Sequence, residues 1–382
     1  MLLYLSQYLQ HLAEGTRWAR YLSGLRVFHY ITFRVGGAAL TALILSLCLG
    51  PIVITWLRNL KFGQNYADKA EEGGGMAGRV ISKRGTPTMG GVLIVMAMDA
   101  SALLWAQWNE LIVLTLLSLV VLAGLGFYDD YAKITKQTNL GAKSHIKLWV
   151  QSILAAFIAI YLWYLPSTNT LITEIMVPFY KYPVLTGASA AGIALTMLTI
   201  VGSSNAVNLT DGLDGLAIGC TLIVSMVFLV MTYVAGNHVF AEYLQVPYVA
   251  GAGELTVFCA AMIGASLGFL WFNCHPAQVF MGDTGSLAIG GALGIMAVLV
   301  HQPFVLLLAG GVFVAEAASV MLQRYWFKYT KRRYGAGRRI FLMAPLHHHF
   351  EKKGWYESQV VTRFYILCVL CAVIALINLK LR

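Results

Sequence analysis

The stretch LIVLTLLSLVVLAGLGFYDDYAK, residues 111–133, runs apolar as far as Phe127 and then delivers Asp129, Asp130 and Lys133. A transmembrane helix needs about 20 mostly apolar residues, so 111–127 reads as a span with charged groups at its end. The same pattern recurs over 37–57, 89–105, 148–165, 188–207, 216–236, 256–272, 287–301, 304–321 and 364–379. The run 287–321 is too long for one crossing and divides at Gln302-Pro303. Composition agrees: 58% of residues are apolar and 12% charged, about half the roughly 25% charge of soluble domains. The six cysteines show no spacing suited to a disulfide framework or a zinc site. Disordered, collagen-like and small disulfide-rich chains are excluded. The expectation is an all-α integral membrane protein with ten transmembrane helices.

Lysine and arginine placement sets the orientation. The segments on one side (58–88, 128–147, 208–215, 273–286 and 322–363) hold twenty basic residues, against seven on the other side with both termini. That asymmetry puts the first set in the cytoplasm and both termini in the periplasm. Arg17, Arg20, Arg26 and Arg34 count the other way. Residues 1–36 read as an N-terminal interfacial segment with amphipathic helical character, and 37–382 as the membrane domain. No short apolar segment followed by a small-residue cleavage site precedes the first span. The net charge of +10 is mostly this topology signal. Lys331-Arg332-Arg333 and Arg338-Arg339 exceed it and suit anionic membrane lipids, a multiply charged substrate, or a solvated loop. Nucleic acid is not expected as a partner, because no soluble domain presents the patch.

The acids are more informative. Asp129, Asp130, Asp211, Asp214 and Asp283 lie at helix ends on the expected cytoplasmic side, in otherwise apolar sequence. Ionisable groups at such depth are functional candidates by default, and carboxylates suit hard cations such as Mg2+, shared with substrate phosphates. Asp129 and Asp130 diverge by about 100° on a helix, so one should meet the site while the other orients Lys133. In Asn205–Leu216, Asp211 and Asp214 share a face if helical, and Gly212 and Gly215 permit close backbone approach. The run lacks the later glutamate that a calcium loop requires. In Asn273–Ser286, glycines around Asp283 at a helix start can turn backbone N–H groups toward phosphate; capping by Asp283 or Ser286 is the plainer reading. His347-His348-His349 is no zinc triad, because successive side chains point apart. Histidine can nonetheless donate to phosphate or carry a proton. Asp99 and Glu316 lie mid-span and read as buried, hydrogen-bonded helix contacts.

Together the strings Lys83–Gly91, Asp129-Asp130 with Lys133, Asn205–Leu216, Asn273–Ser286 and Pro345–Phe350 resemble the polyprenyl-phosphate N-acetylhexosamine-1-phosphate transferases. The uninterrupted triple histidine after Ala344-Pro345-Leu346 looks like the muramoyl branch. The resemblance covers nearly the whole chain from about Phe28, although Arg324–Arg339 is longer and more basic than the family pattern. It implies ten transmembrane helices with a cytoplasmic cleft in the bacterial inner membrane. It also implies transfer of phospho-MurNAc-pentapeptide from UDP-MurNAc-pentapeptide to undecaprenyl phosphate, giving lipid I and UMP with Mg2+ as cofactor. Asp129, Asp130, Asp283 and His347 would serve catalysis, with Asp283 and Asp130 on the metal. Lys83, Thr88, Lys133, Asn205, Asn208, Asp211, Leu213, Asp214, Asn273, Phe280, Gly282, Ser286, Gln323 and His348 would line the substrate region. A homodimer is what the resemblance suggests. A related transferase using another UDP-HexNAc donor is the near alternative. A secondary transporter is the distant one, disfavoured because no internal repeat is visible and the acids sit at helix ends instead of the midplane.

Overall fold

The computed structural model describes residues 1–14, 19–60, 85–135, 141 and 143–380; Lys83 lies outside the described residues. Among these there is no strand, only isolated bridge residues such as the pair Ile175 and Leu185. The helices are α1 (Leu2–Ala13), α2 (Ile31–Asn59), α3 (Gly91–Trp105), α4 (Glu110–Thr135), α5 (Ser144–Tyr164), α6 (Ser189–Thr210), α7 (Leu216–Ala235), α8 (Gly253–Asn273), α9 (Gly282–Leu299), α10 (Pro303–Ala309), α11 (Gly311–Tyr334), α12 (Leu346–Lys352) and α13 (Glu357–Ile377), with four short helical turns between them. Eight of them are long and apolar enough to cross a membrane, and α3 is a shorter apolar helix of 15 residues.

Each expected span falls on a helix, with one correction. The stretch 304–321 is no straight helix: α10 and α11 meet at a bend of 85°. Gly310 and Gly311 stand at that junction, where neither residue has a side chain to pack, and glycine is a poor helix former. The helix also runs to Tyr334, well past its apolar part. At the other end of the chain α2 begins at Ile31, inside the segment set apart as interfacial.

Burial separates inner from outer helices. In α9 89% of the spanning window is buried and in α8 78%, against 28% in α2 and in α6. A helix apolar all round belongs inside, and Thr284–Leu299 is buried without interruption. Around α9 pack α4 and α6, while α8 packs on α2, α3 and α7. Arg34 pairs bidentately with Glu254, Nη2 lying 2.7 Å from Oε1. The same carboxylate accepts the Gln107 backbone N–H at 2.7 Å, joining α2, α8 and the end of α3. This neutralised pair explains one of the four arginines that opposed the orientation reading, since its charge is spent inside the protein.

Candidate active site

The site is assembled where α4 ends and α9 begins. Asn109 accepts the Ile112 N–H at 2.9 Å, Glu110 lies in the first turn of α4 and Lys133 in its last, all complementing the helix dipole. One turn before the aspartates, Gly126 lets α9 in: a Cβ there would collide with the backbone of Asp283 and with Thr284 at 2.6 Å. At the start of α9, Gly282 takes φ +73°, and a side chain on it would press on Asp130 Oδ2 at 2.6 Å and Thr88 Oγ1 at 2.9 Å. These two glycines place one helix end against the flank of the other.

Asp129 orients Lys133, as expected of one of the two neighbours, but it does not part company with Asp130. Ligand oxygens of Asp129, Asp130 and Asp283 all lie within 4.8 Å of one another. The two neighbours converge because the start of α9 docks between them. Asp130 Oδ2 accepts from Thr284 N at 3.0 Å and Thr284 Oγ1 at 2.8 Å, and Oδ1 from Asp283 N at 3.2 Å. It therefore caps a helix that has no side-chain cap of its own. Asp129, fully buried, takes Lys133 at 2.6 Å and Lys147 at 2.8 Å. Asp283 Oδ2 takes the same two lysines at 3.1 and 2.5 Å, and its Oδ1 accepts from Asn208 Nδ2 at 2.9 Å. Asn208 also donates to Ser286 Oγ at 2.8 Å.

Lys147 was missed by the site reading. Its signal was the last of three lysines between Lys133 and the next span, which sequence alone does not aim at Asp283. Thr88 is buried with its hydroxyl unpartnered, beside Gly282. Hydrogen bonds from Phe280 N to Pro87 O and from Gly90 N to Phe280 O, each 2.8 Å, join these loops.

Asp211 and Asp214 do not share a helical face. The chain leaves α6 after Thr210, and Gly215 takes φ +81°, so the two carboxylates diverge. Asp211 faces Gly282, and enclosure beside the Asp283, Asp130 and Asp214 carboxylates pushes its carboxyl up to about 8. Asp214 instead meets His275 Nδ1 at 3.0 Å, and its backbone N–H donates to Glu357 at 3.0 Å. His275 and Glu357 were not singled out in the sequence. Leu213 is buried on the same loop. Asn273 ties that loop to the next, accepting from Gly215 N at 3.1 Å and donating to Val279 O at 2.8 Å.

The remaining expected residues lie off the carboxylates. Asn205 donates to Gln151 at 2.8 Å, joining α6 to α5. Gln323 bonds the backbone of Ile340 and Phe341 at 3.0 Å each. The three histidines take different polar partners, although the His347 and His348 rings touch: His347 lies buried against Glu316, His348 pairs with Glu351 at 2.8 Å, and His349 Nδ1 accepts from Leu342 N at 3.1 Å. Glu316 is thus the buried, bonded contact expected mid-span. Asp99 is not, because its Oδ1 is buried without a partner.

An apolar helical bundle carrying clustered carboxylates and lysines at one end defines a polytopic membrane protein with a charged site suited to phosphate and a hard cation. Residues 112–301 match glycosyl transferase family 4, and residues 83–95 match signature 1 of the phospho-N-acetylmuramoyl-pentapeptide-transferases. The chain is 49% identical to the phospho-N-acetylmuramoyl-pentapeptide-transferase of Methylacidiphilum infernorum over 95% of its own length and 97% of the relative's. For the proteins of that name from Opitutus terrae and Neisseria gonorrhoeae the identities are 47% and 48%, covering 98% and 97% of this chain and 100% and 99% of theirs. The chain belongs to the phospho-N-acetylmuramoyl-pentapeptide-transferase family.

Proposed function

We propose that this protein transfers phospho-MurNAc-pentapeptide from UDP-MurNAc-pentapeptide to undecaprenyl phosphate, releasing UMP and forming lipid I, with Mg2+, at the cytoplasmic face of the bacterial inner membrane. The observation that carries the reading is the cluster of Asp129, Asp130 and Asp283 with Lys133 and Lys147 at the end of an apolar bundle. One substrate is a lipid and the other a soluble anion, so their reaction belongs at such a boundary. The twenty-to-seven basic asymmetry supports the orientation.

Phosphoryl transfer asks the protein chiefly for positioning and charge neutralisation. Three carboxylates and two ammonium groups leave the cluster formally at −1, and its all-oxygen carboxylate donors suit a hard cation. Asp283 would hold Mg2+ with Asp130 beside it, and the bound ion would supply charge neutralisation on the phosphates. Lys133 and Lys147 hold Asp129 and Asp283 in register and add positive charge for the pyrophosphate. Asp129 positions the acceptor. A phosphate monoester has a second pKa of about 6, so the lipid phosphate is mostly dianionic near pH 7 and attacks without a general base. Its oxygen bonds to the sugar-bearing phosphorus as the P–O bond to UMP breaks.

Radiolabelled donors test the proposal on purified protein. Organic-extractable label is expected from UDP-MurNAc-pentapeptide, only with undecaprenyl phosphate and Mg2+ present. Label from UDP-GlcNAc instead would move the chain to another branch. Solute uptake into vesicles without any lipid-linked product would favour a transporter.

A further inference from the structure

The transferase reading leaves Glu316 unused, a carboxylate buried to 0% exposure within α11. Its Oε1 accepts the backbone N–H of His347 at 3.1 Å and stands 3.2 Å from that residue's ring Nδ1. Oε2 has no hydrogen-bond partner. His347 is equally buried, with the His348 ring edge-on at 4.2 Å. The opposite side of the imidazole faces the 211–215 loop: a Cβ added at Gly212 would strike Nε2 and lie 2.9 Å from Cε1. Both ring nitrogens are buried and neither makes a hydrogen bond, so Glu316 meets Nδ1 by charge at 3.2 Å and not through a formed hydrogen bond.

A carboxylate only accepts hydrogen bonds, so in the neutral ring it favours the proton on Nδ1 and leaves the lone pair on Nε2. At 3.2 Å in a buried setting the negative charge itself favours an N–H over a lone pair on the nitrogen that faces it. We propose that Glu316 is a positioning residue for His347: it fixes the Nδ1–H tautomer and aims Nε2, as an acceptor, at the loop beside Asp211. Gly212 completes the arrangement by leaving the ring room. Glu316 touches no substrate and acts only through His347. The inference rests on the transferase reading for its effect on turnover, and on the geometry alone for the tautomer.

The test uses full-length protein in detergent with 15N-labelled histidine, the His347 signals being assigned by their loss in His347→Gln. The wild type should show a protonated Nδ1 and a bare Nε2. Glu316→Leu keeps bulk but removes the acceptor. It should scramble the tautomer and lower kcat about 10–100-fold, the range for lost supporting partners of site histidines, with KM for the UDP donor little changed. Glu316→Gln keeps an oxygen in place and should restore both tautomer and turnover. A merely structural carboxylate would not give that pattern. A leucine variant with wild-type tautomer and kcat would overturn the proposal, as would a glutamine variant as impaired as leucine. If Glu316→Leu does not fold, Gly212→Ala serves, since it leaves Glu316 intact and drives a methyl at Nε2. A displaced His347 signal with reduced kcat supports the proposal, and an unaltered signal and rate overturn it. Wild-type protein with the Nδ1–H tautomer but no lipid-linked product would sink the transferase reading while upholding the Glu316–His347 relation.

Discussion

Replacing Asp283 by asparagine separates chemistry from architecture at this site. Asparagine preserves the size of the side chain and an oxygen able to accept from Asn208 Nδ2, now 2.9 Å from Oδ1. What disappears is the charge that Oδ2 presents to Lys147 at 2.5 Å and Lys133 at 3.1 Å. The cluster goes from a formal −1 to 0, and its preference for a divalent cation falls with it. Metal stabilisation of phosphoryl transfer is worth several kcal/mol, and each ~1.4 kcal/mol is tenfold in rate. Transfer by Asp283→Asn should therefore drop by about 10²–10⁴. The backbone of α9 is held by Asp130 and Gly126 rather than by this side chain, so the variant should stay folded. Transfer of label to lipid would be followed while Mg2+ is titrated to high concentration, alongside binding of a metal-independent uridine ligand. Near-normal transfer would remove Asp283 from the metal site. Loss of ligand binding together with activity would show that it supports the whole region instead.

Asp130→Asn, by contrast, should destabilise the protein by about 2–3 kcal/mol, because hydrogen bonds to charged groups are worth roughly 1.5–3 kcal/mol and this carboxylate receives three donors from α9. An unchanged melting temperature in detergent would refute its capping role. Asp211, pushed up to about 8 by enclosure and neighbouring acids, contributes stability that is fully present below its unfolded pKa of about 3.9 and is lost as pH rises through 8. In EDTA, Asp211→Asn should flatten melting temperature against pH across that window; a variant as steep as the wild type would count against the assignment. Cysteines introduced at Gly335 should label from the cytoplasm and at Asn169 and Asn237 from outside, and the reverse pattern would overturn the orientation.

Hydropathy made the spans legible, because a helix in lipid must be apolar along its length whatever it packs against. It did not encode the angle at Gly310, where two apolar segments meet at 85°; bends depend on what lies beside them. The candidate aspartates were visible as charges in apolar surroundings, but their pairing was not. Asp129 and Asp130 look divergent along one isolated helix and converge only when α9 docks at Gly126. Asp211 and Asp214 show the reverse, three residues apart and yet turned to different partners by the glycines between them. Lys147 and Glu357 belong to segments remote in sequence, and only the packing of α5 and α13 brings them in. Asn205 and Gln323, which the resemblance places in the substrate region, also join protein to protein, Asn205 through Gln151 and Gln323 through the backbone of Ile340 and Phe341.

The capping of α9 by Asp130 reaches beyond the chemistry. The most enclosed helix of the bundle starts on a carboxylate of the charged cluster, so the rigid frame and that cluster share their parts. Substitutions of Asp130 would loosen the frame as they retune the cluster, which leaves little room for gradual change at that position. In engineering terms, the junction of α4 with α9 is the chassis of the molecule.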